Sequence, residues 1–185
     1  MTKVCIDDFK KEDYPPGKLR SDGFSIHEWL KENYDVCIKA VHKDLDFVFI
    51  VSGNGFVRVG KSLVAMQGGY YITKAVNQMY GLKNTFNLEE NYAYNANELI
   101  RKAMKLPKYS VIILDEGDDL EENYWSYLAK VLRRFFRKCG QKNLFIFMVV
   151  PDFFELKKAY AITRSIALIN VKFEGEFERG NFQFF

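Results

Sequence analysis

Eight residues in this chain have the types and spacing to hold a phosphate. Gly55-Phe56-Val57-Arg58-Val59-Gly60-Lys61-Ser62 satisfies G-x-x-x-x-G-K-[ST]. Each conserved type in that pattern has a physical task. The glycines let the backbone curl until successive N–H groups converge on phosphate oxygens, and a following helix adds its positive end. A lysine at position 61 reaches the β- and γ-phosphates, and the hydroxyl at position 62 ligates a magnesium ion. The candidate nucleotide-binding residues are therefore Gly55, Arg58, Val59, Gly60, Lys61, Ser62 and Leu63.

A second constellation lies further along, in "YSVIILDEGDDL". Four apolar residues lead into Asp115-Glu116, which places two carboxylates at the tip of a buried strand. Asp115 is the second candidate metal ligand beside Ser62. Glu116 and Lys61 are the candidate catalytic residues, the glutamate polarising an attacking water. A glutamate directly after the aspartate favours hydrolysis over transfer to a separate acceptor.

A third feature is basic. Lys130, Arg133, Arg134, Arg137, Lys138 and Lys142 occur with no acid between Asn123 and Pro151. Leu128, Leu132, Phe135, Phe136 and Cys139 form the apolar stripe of that helix. Like charges without acidic neighbours repel one another, so an anionic partner is expected. Arg133, Arg134, Arg137 and, separately, Arg164 are candidates for an arginine finger reaching into a neighbouring subunit or for contact with DNA phosphates.

These features need a scaffold, and the apolar pattern predicts one. Ser25 and Glu28 form a capping box, and Ile26, Trp29, Leu30, Tyr34, Cys37, Ile38 and Val41 recur at helical spacing to about His42. Phe47 to Val51 reads as a strand buried on both faces, and Lys61 to about Tyr80 as a helix. A short strand over Asn91 to Tyr94 precedes a helix capped by Asn95 and stopped by Pro107. Strands follow at Ser110 to Leu114, Leu144 to Val150 and Ile166 to Phe173. Helices are expected over Asn123 to Cys139 and from Phe153 to Tyr160, and a hairpin runs through Gly175 to the end. Buried strands alternating with helices predict an α/β domain with a mainly parallel sheet. Residues 1–23, polar and with Pro15-Pro16-Gly17, read as an extended arm, and 24–185 as the domain.

The 185 residues are 48% hydrophobic with a formal net charge of +3, enough apolar material for one domain and too little charge to argue for nucleic acid by itself. Three widely spaced cysteines form no disulfide framework or metal knuckle, and His27 and His42 have no ligand partners at useful spacing. The opening residues show no signal-peptide pattern and no apolar run is long enough to cross a bilayer, so a cytoplasmic location, the host cytoplasm for a viral protein, is expected.

The order of parts, "LDFVFIVSG", the glycine loop, "YSVIILDEG", the basic helix, "QKNLFIFMVVPDFFELKKAYAITRS" and "FERGNFQFF", resembles the P-loop ATPases of phages, archaeal viruses and mobile elements often labelled zonular-occludens-toxin-like, near the FtsK/HerA DNA translocases. The resemblance spans roughly residues 25 to 185. It implies a P-loop NTPase with an additional-strand catalytic-glutamate (RecA-like) core, in which the strand after Asp115 inserts beside the P-loop strand. It also implies ATP and Mg²⁺ as ligands, a homo-oligomeric ring, often a hexamer, and DNA as partner. Relatives often carry a polar sensor at the third strand's tip, where this chain has Val149-Val150-Pro151; Asp152, Gln141 and Asn143 are the substitutes in the sequence. The biological process, whether packaging, transfer or replication, is not written in these motifs. Rival readings are a nucleotide-dependent assembly protein without turnover and a small-molecule kinase, although no lid motif is evident.

Overall fold

Uninterrupted apolar strands demand cover on both faces of a sheet, and the computed structural model supplies it. It describes residues 26–53, 58–115, 135, 140–155, 165–174 and 178–185. The elements in chain order are α1 (Glu28–Ala40), β1 (Phe47–Ser52), α2 (Lys61–Tyr80), α3 (Leu88–Asn91), β2 (Tyr92–Ala93), α4 (Ala96–Lys105), β3 (Val111–Asp115), β4 (Phe145–Val149), β5 (Ala167–Glu174) and β6 (Glu178–Phe184). The arm at 1–23, the helix at 123–139 apart from the helical Phe135, and the second half of the expected helix to Tyr160 lie outside the described residues.

The six strands form one sheet in the order β2-β3-β4-β1-β5-β6. Every pairing is parallel except β5 with β6, which is antiparallel. The strand after Asp115, β4, lies between β3 and β1. The apolar chain end is taken up within the fold, since Phe182 and Phe184 of β6 pair with Val171 and Ile169 of β5.

Alternation along each strand divides the core in two. Phe47, Phe49 and Val51 of β1, with Val111 and Ile113 of β3 and Phe145, Phe147 and Val149 of β4, meet Leu30, Tyr34 and Ile38 of α1 and Val64, Ala65, Tyr71 and Ile72 of α2. Residues of opposite parity, Val48, Ile112, Leu114, Ile146 and Met148, meet Ala96, Leu99 and Ala103 of α4 and Phe135. Helix α2 approaches its face closely because Gly68 and Gly69 lack side chains. A Cβ at Gly68 would lie 2.7 Å from the Phe147 ring and one at Gly69 2.6 Å from the Phe86 ring.

Three local readings change. The cap of α1 is His27, whose Nδ1 accepts the Trp29 N–H at 3.2 Å; Ser25 lies outside the described residues. Around Asn91 the chain makes a turn of helix, α3, before a two-residue strand. Asn87 caps that turn through the Glu90 N–H, and the buried Asn91 amide donates to Val111 O at 2.8 Å. This amide bond docks the segment on β3, and extended pairing begins only at Tyr92. After Pro151, Phe153–Glu155 form a 3-10 turn.

Candidate functional site

The glycine loop leaves β1 at its carboxyl end and delivers the chain into α2. Gly60, with φ of 104°, occupies the left-handed region that favours glycine and stands at the N-cap of α2. Among the described residues no side chain caps this twenty-residue helix, and its first intrahelical bond is Val64 N–H to Gly60 O, 3.0 Å. The N–H groups of Lys61, Ser62 and Leu63 precede that bond, so the head of α2 carries the positive end of the helix dipole. Arg58 is exposed and also left-handed, with φ of 60°, a conformation that costs a non-glycine residue about 1 kcal/mol. Val59 beside it is buried in the core under α2. The two bulky loop residues thus divide the work: Val59 anchors the loop, and Arg58 takes the turn this requires.

Lys61 folds back over the end of β1. A Cβ on Gly53 would lie 3.1 Å from Lys61 Nζ and 3.0 Å from both Lys61 Cδ and Val59 Cγ2. Gly53 leaves room for the lysine to lie across the loop mouth. Its N–H is tied to Pro151 O at 3.4 Å, and the Val150 N–H donates to Val51 O at 2.9 Å. The tips of β1 and β4 are thereby locked together.

Asp115 reaches this place by parity and register. Val111 and Ile113 face α2, so Asp115, two residues on, points to the same side. Asp115 pairs with Val149 and Val149 with Val51, so one row crosses three strands at their carboxyl ends. Two strand spacings, about 10 Å, separate Asp115 from β1, and the first turn of α2 spans that gap. Ser62 Oγ donates to Asp115 Oδ2 at 2.6 Å. Two hard oxygen donors side by side fit a Mg²⁺ ion, which keeps most of its octahedral shell for water and substrate oxygens. Among the described residues no group of three or more His, Cys, Asp or Glu side chains gathers into a separate metal cage.

Tyr92 was not singled out by the sequence. Its hydroxyl donates to the same Asp115 Oδ2, from β2 on the far side of β3. Burial first, and the Asp115 carboxylate after it, push the Tyr92 phenol above its ordinary range, so it remains a donor. Gly53 was likewise missed as part of the site. A glycine at the exit of an apolar strand is the only trace it leaves in the sequence; Tyr92 leaves none, because its relation to Asp115 depends on β2 pairing with β3.

Other expected site residues separate. Gly55, Glu116, Arg133, Arg134, Arg137 and Arg164 lie outside the described residues. Gln141 and Asn143 precede β4 and sit at the amino ends of the strands, opposite Asp115, so neither can act as a sensor. Asn143 Nδ2 instead donates to Asp44 Oδ1 at 3.0 Å. Asp152 is at the correct end but caps the 3-10 turn, accepting the Phe154 N–H at 2.9 Å. Lys142, counted with the basic helix, donates to the Met104 and Leu106 carbonyls at 2.6 and 2.5 Å. It secures the end of α4, and an anionic partner is not needed to explain it.

Comparison with protein-family models, with curated proteins and with solved structures finds no match to this chain. Among the described residues no helix is long and apolar enough to cross a membrane.

Proposed function

We propose that this chain is a P-loop ATPase of the additional-strand catalytic-glutamate type that binds ATP with Mg²⁺, hydrolyses it, and couples turnover to movement along DNA. The observation that carries the reading is the hydrogen bond from Ser62 to Asp115 at the uncapped head of α2. It joins the last residue of the glycine motif to the acidic strand end, which the sequence holds far apart. The position of β4 between β3 and β1 supports the same core.

In this reading the N–H groups at the start of α2 and the Lys61 ammonium hold the β- and γ-phosphate oxygens. Ser62 and Asp115 hold Mg²⁺, with Tyr92 fixing the orientation of the carboxylate. The metal, when bound, neutralises charge on the phosphates. Glu116, adjacent in sequence to Asp115, accepts a hydrogen bond from water and aims its oxygen at the γ-phosphorus. A basic residue of the next subunit, drawn from Arg133, Arg134, Arg137 or Arg164, stabilises charge as the bond breaks. DNA is the anion that Lys130, Lys138 and the unused arginines meet in a ring of subunits.

The test is ATP hydrolysis at several protein concentrations, with and without single- and double-stranded DNA, with Glu116→Gln as control. Activity that rises with concentration and DNA, and disappears in the variant, is the expected result. The apolar tip Val149-Val150-Pro151 favours a second reading, in which nucleotide binding drives assembly without turnover. Tight ATP binding with no hydrolysis under any of these conditions selects it over the motor.

A further inference from the structure

Beside the head of α2 lies an open cavity of about 560 Å³, lined by His27, Leu30, Gly60, Leu63, Gln67 and Phe182 among others. Its size falls within the range of small-molecule sites, roughly 300–1,000 Å³. Three elements distant in sequence converge here: the start of α1, the exposed flank of α2 and the terminal strand β6. We infer that this groove holds the purine base of the nucleotide. The inference rests on the nucleotide reading given above and names the part of the site that recognises more than phosphate.

The position comes first. Arg58, Val59 and Gly60 of the loop also line the cavity, so a ligand whose phosphates sit on the α2 head has this groove as its neighbour. Leu63, the residue after Lys61-Ser62, is 56% exposed. A large apolar side chain left open at that point is suited to cover by a flat apolar surface. The chemistry agrees. Leu30, Val64 and Leu63 form apolar walls, and Phe182 supplies an aromatic ring, held edge-to-face by His27 at 5.3 Å between centroids. A base buries its faces against such a surface.

Two polar groups complete the lining. Gln67 offers both a donor and an acceptor, the complement of a base edge that carries both. His27 Nδ1 is already occupied as acceptor of the Trp29 N–H, which leaves Nε2 to donate. Among the described residues Arg58 is the one charged side chain on the wall, and it belongs to the loop side, where phosphate or ribose oxygens come. No carboxylate lines the groove among the described residues.

Calorimetric titration of the full chain with ATP and with inorganic tripolyphosphate separates base recognition from phosphate recognition. Four variants are compared with wild type: Lys61→Ala, Phe182→Leu, Gln67→Leu and His27→Asn. The leucine at 182 keeps apolar bulk against the core, and the asparagine at 27 keeps a capping acceptor for α1, so thermal melts should stay close to wild type. Wild type is expected to bind ATP at least about tenfold more tightly than tripolyphosphate, and Phe182→Leu and Gln67→Leu to weaken ATP about tenfold while leaving tripolyphosphate unchanged. Lys61→Ala is expected to weaken both. Equal affinity for the two ligands in wild type, or an unchanged ratio in folded groove variants, overturns the base site while leaving the phosphate site standing. A wild-type chain that binds neither ligand overturns the nucleotide reading itself.

Discussion

Ser62 Oγ and Asp115 Oδ2 are 2.6 Å apart although 53 positions separate them in the chain. The bond exists because the first turn of α2 bridges β4, the strand between the two residues' attachment points. Asp115→Asn keeps an oxygen for the Ser62 hydroxyl but removes the charge that a divalent cation needs. Mg²⁺-dependent hydrolysis should fall about a hundredfold or more, while ATP binding measured without metal stays within a few-fold of wild type. Ser62→Ala should lose turnover in the same direction. Retention of full activity in both variants excludes the pair as the metal site.

Tyr92 and Asp115 form a second linkage at the same oxygen. Tyr92→Phe deletes the donor and keeps the ring, which is buried among core residues. Groups that orient a metal ligand commonly change metal affinity or activity by about 10–100-fold when removed. The Mg²⁺ concentration for half-maximal hydrolysis should therefore rise about tenfold in Tyr92→Phe, with the melting temperature and metal-free ATP binding little changed. Burial holds the phenol above its ordinary range, so the hydroxyl donates at both pH 7 and pH 9 and this effect should be the same at the two. An unchanged Mg²⁺ titration limits Tyr92 to packing.

Strand β1, helix α2 and helix α4 were legible because each carries its own local signal: an unbroken apolar run, a glycine motif at the helix entry, and an asparagine cap. Asn95 accepts the Glu98 N–H at 2.9 Å, as its position before an apolar repeat requires. The candidate metal pair was legible as two motifs, but its partners were not. Tyr92 and Gly53 act through the pairing of β2 with β3 and the return of Lys61 over β1, and neither relation has a period or a spacing. Two of the substitutes considered for the missing sensor, Gln141 and Asn143, fall at the wrong end of the sheet for the same reason. Proximity to β4 in sequence did not say which end of the strand Gln141 and Asn143 occupy.

Gly68 faces the Phe147 ring and the Tyr34 hydroxyl, at 2.7 and 2.9 Å from where a Cβ would stand. In an exposed helix Gly→Ala stabilises by about 1 kcal/mol. Here overpacking, about 1–3 kcal/mol in a filled core, opposes it, and the nearest atoms belong to a ring held between β1 and α1. Gly68→Ala should lower unfolding stability, by up to about 2 kcal/mol in urea titrations. A more stable variant means that α2 can shift away from the sheet at little cost.

The Tyr34 hydroxyl is fully buried and has no hydrogen-bond partner among the described residues. The ring itself is well used, edge-to-face with Phe49 at 5.2 Å and Phe147 at 5.9 Å. Removing an unsatisfied polar atom from such a site relieves a desolvation penalty of about 1–3 kcal/mol, less what a small void takes back. Tyr34→Phe should therefore raise the unfolding midpoint, by about 1 kcal/mol of stability. A loss of stability would mean that the hydroxyl finds a partner in solution.

Cys37 on α1 is 7% exposed and its thiol is pushed up to about 11, chiefly by burial. The folded value lies above the unfolded one, about 8.5, so the fold favours the neutral thiol. The stability this contributes is complete below about pH 8.5 and is lost as pH rises through 11. At pH 8 about 0.1% of the folded side chain is thiolate, against roughly a quarter in the unfolded chain. With Cys5 and Cys139 replaced by serine, a thiol-specific chromogenic reagent at pH 8 should label the native chain at least about a hundredfold more slowly than the urea-unfolded chain. The labelling rate should rise in parallel with the unfolded fraction across a urea series. Fast labelling of the native chain would place Cys37 at an opening in α1 rather than in the core beneath it.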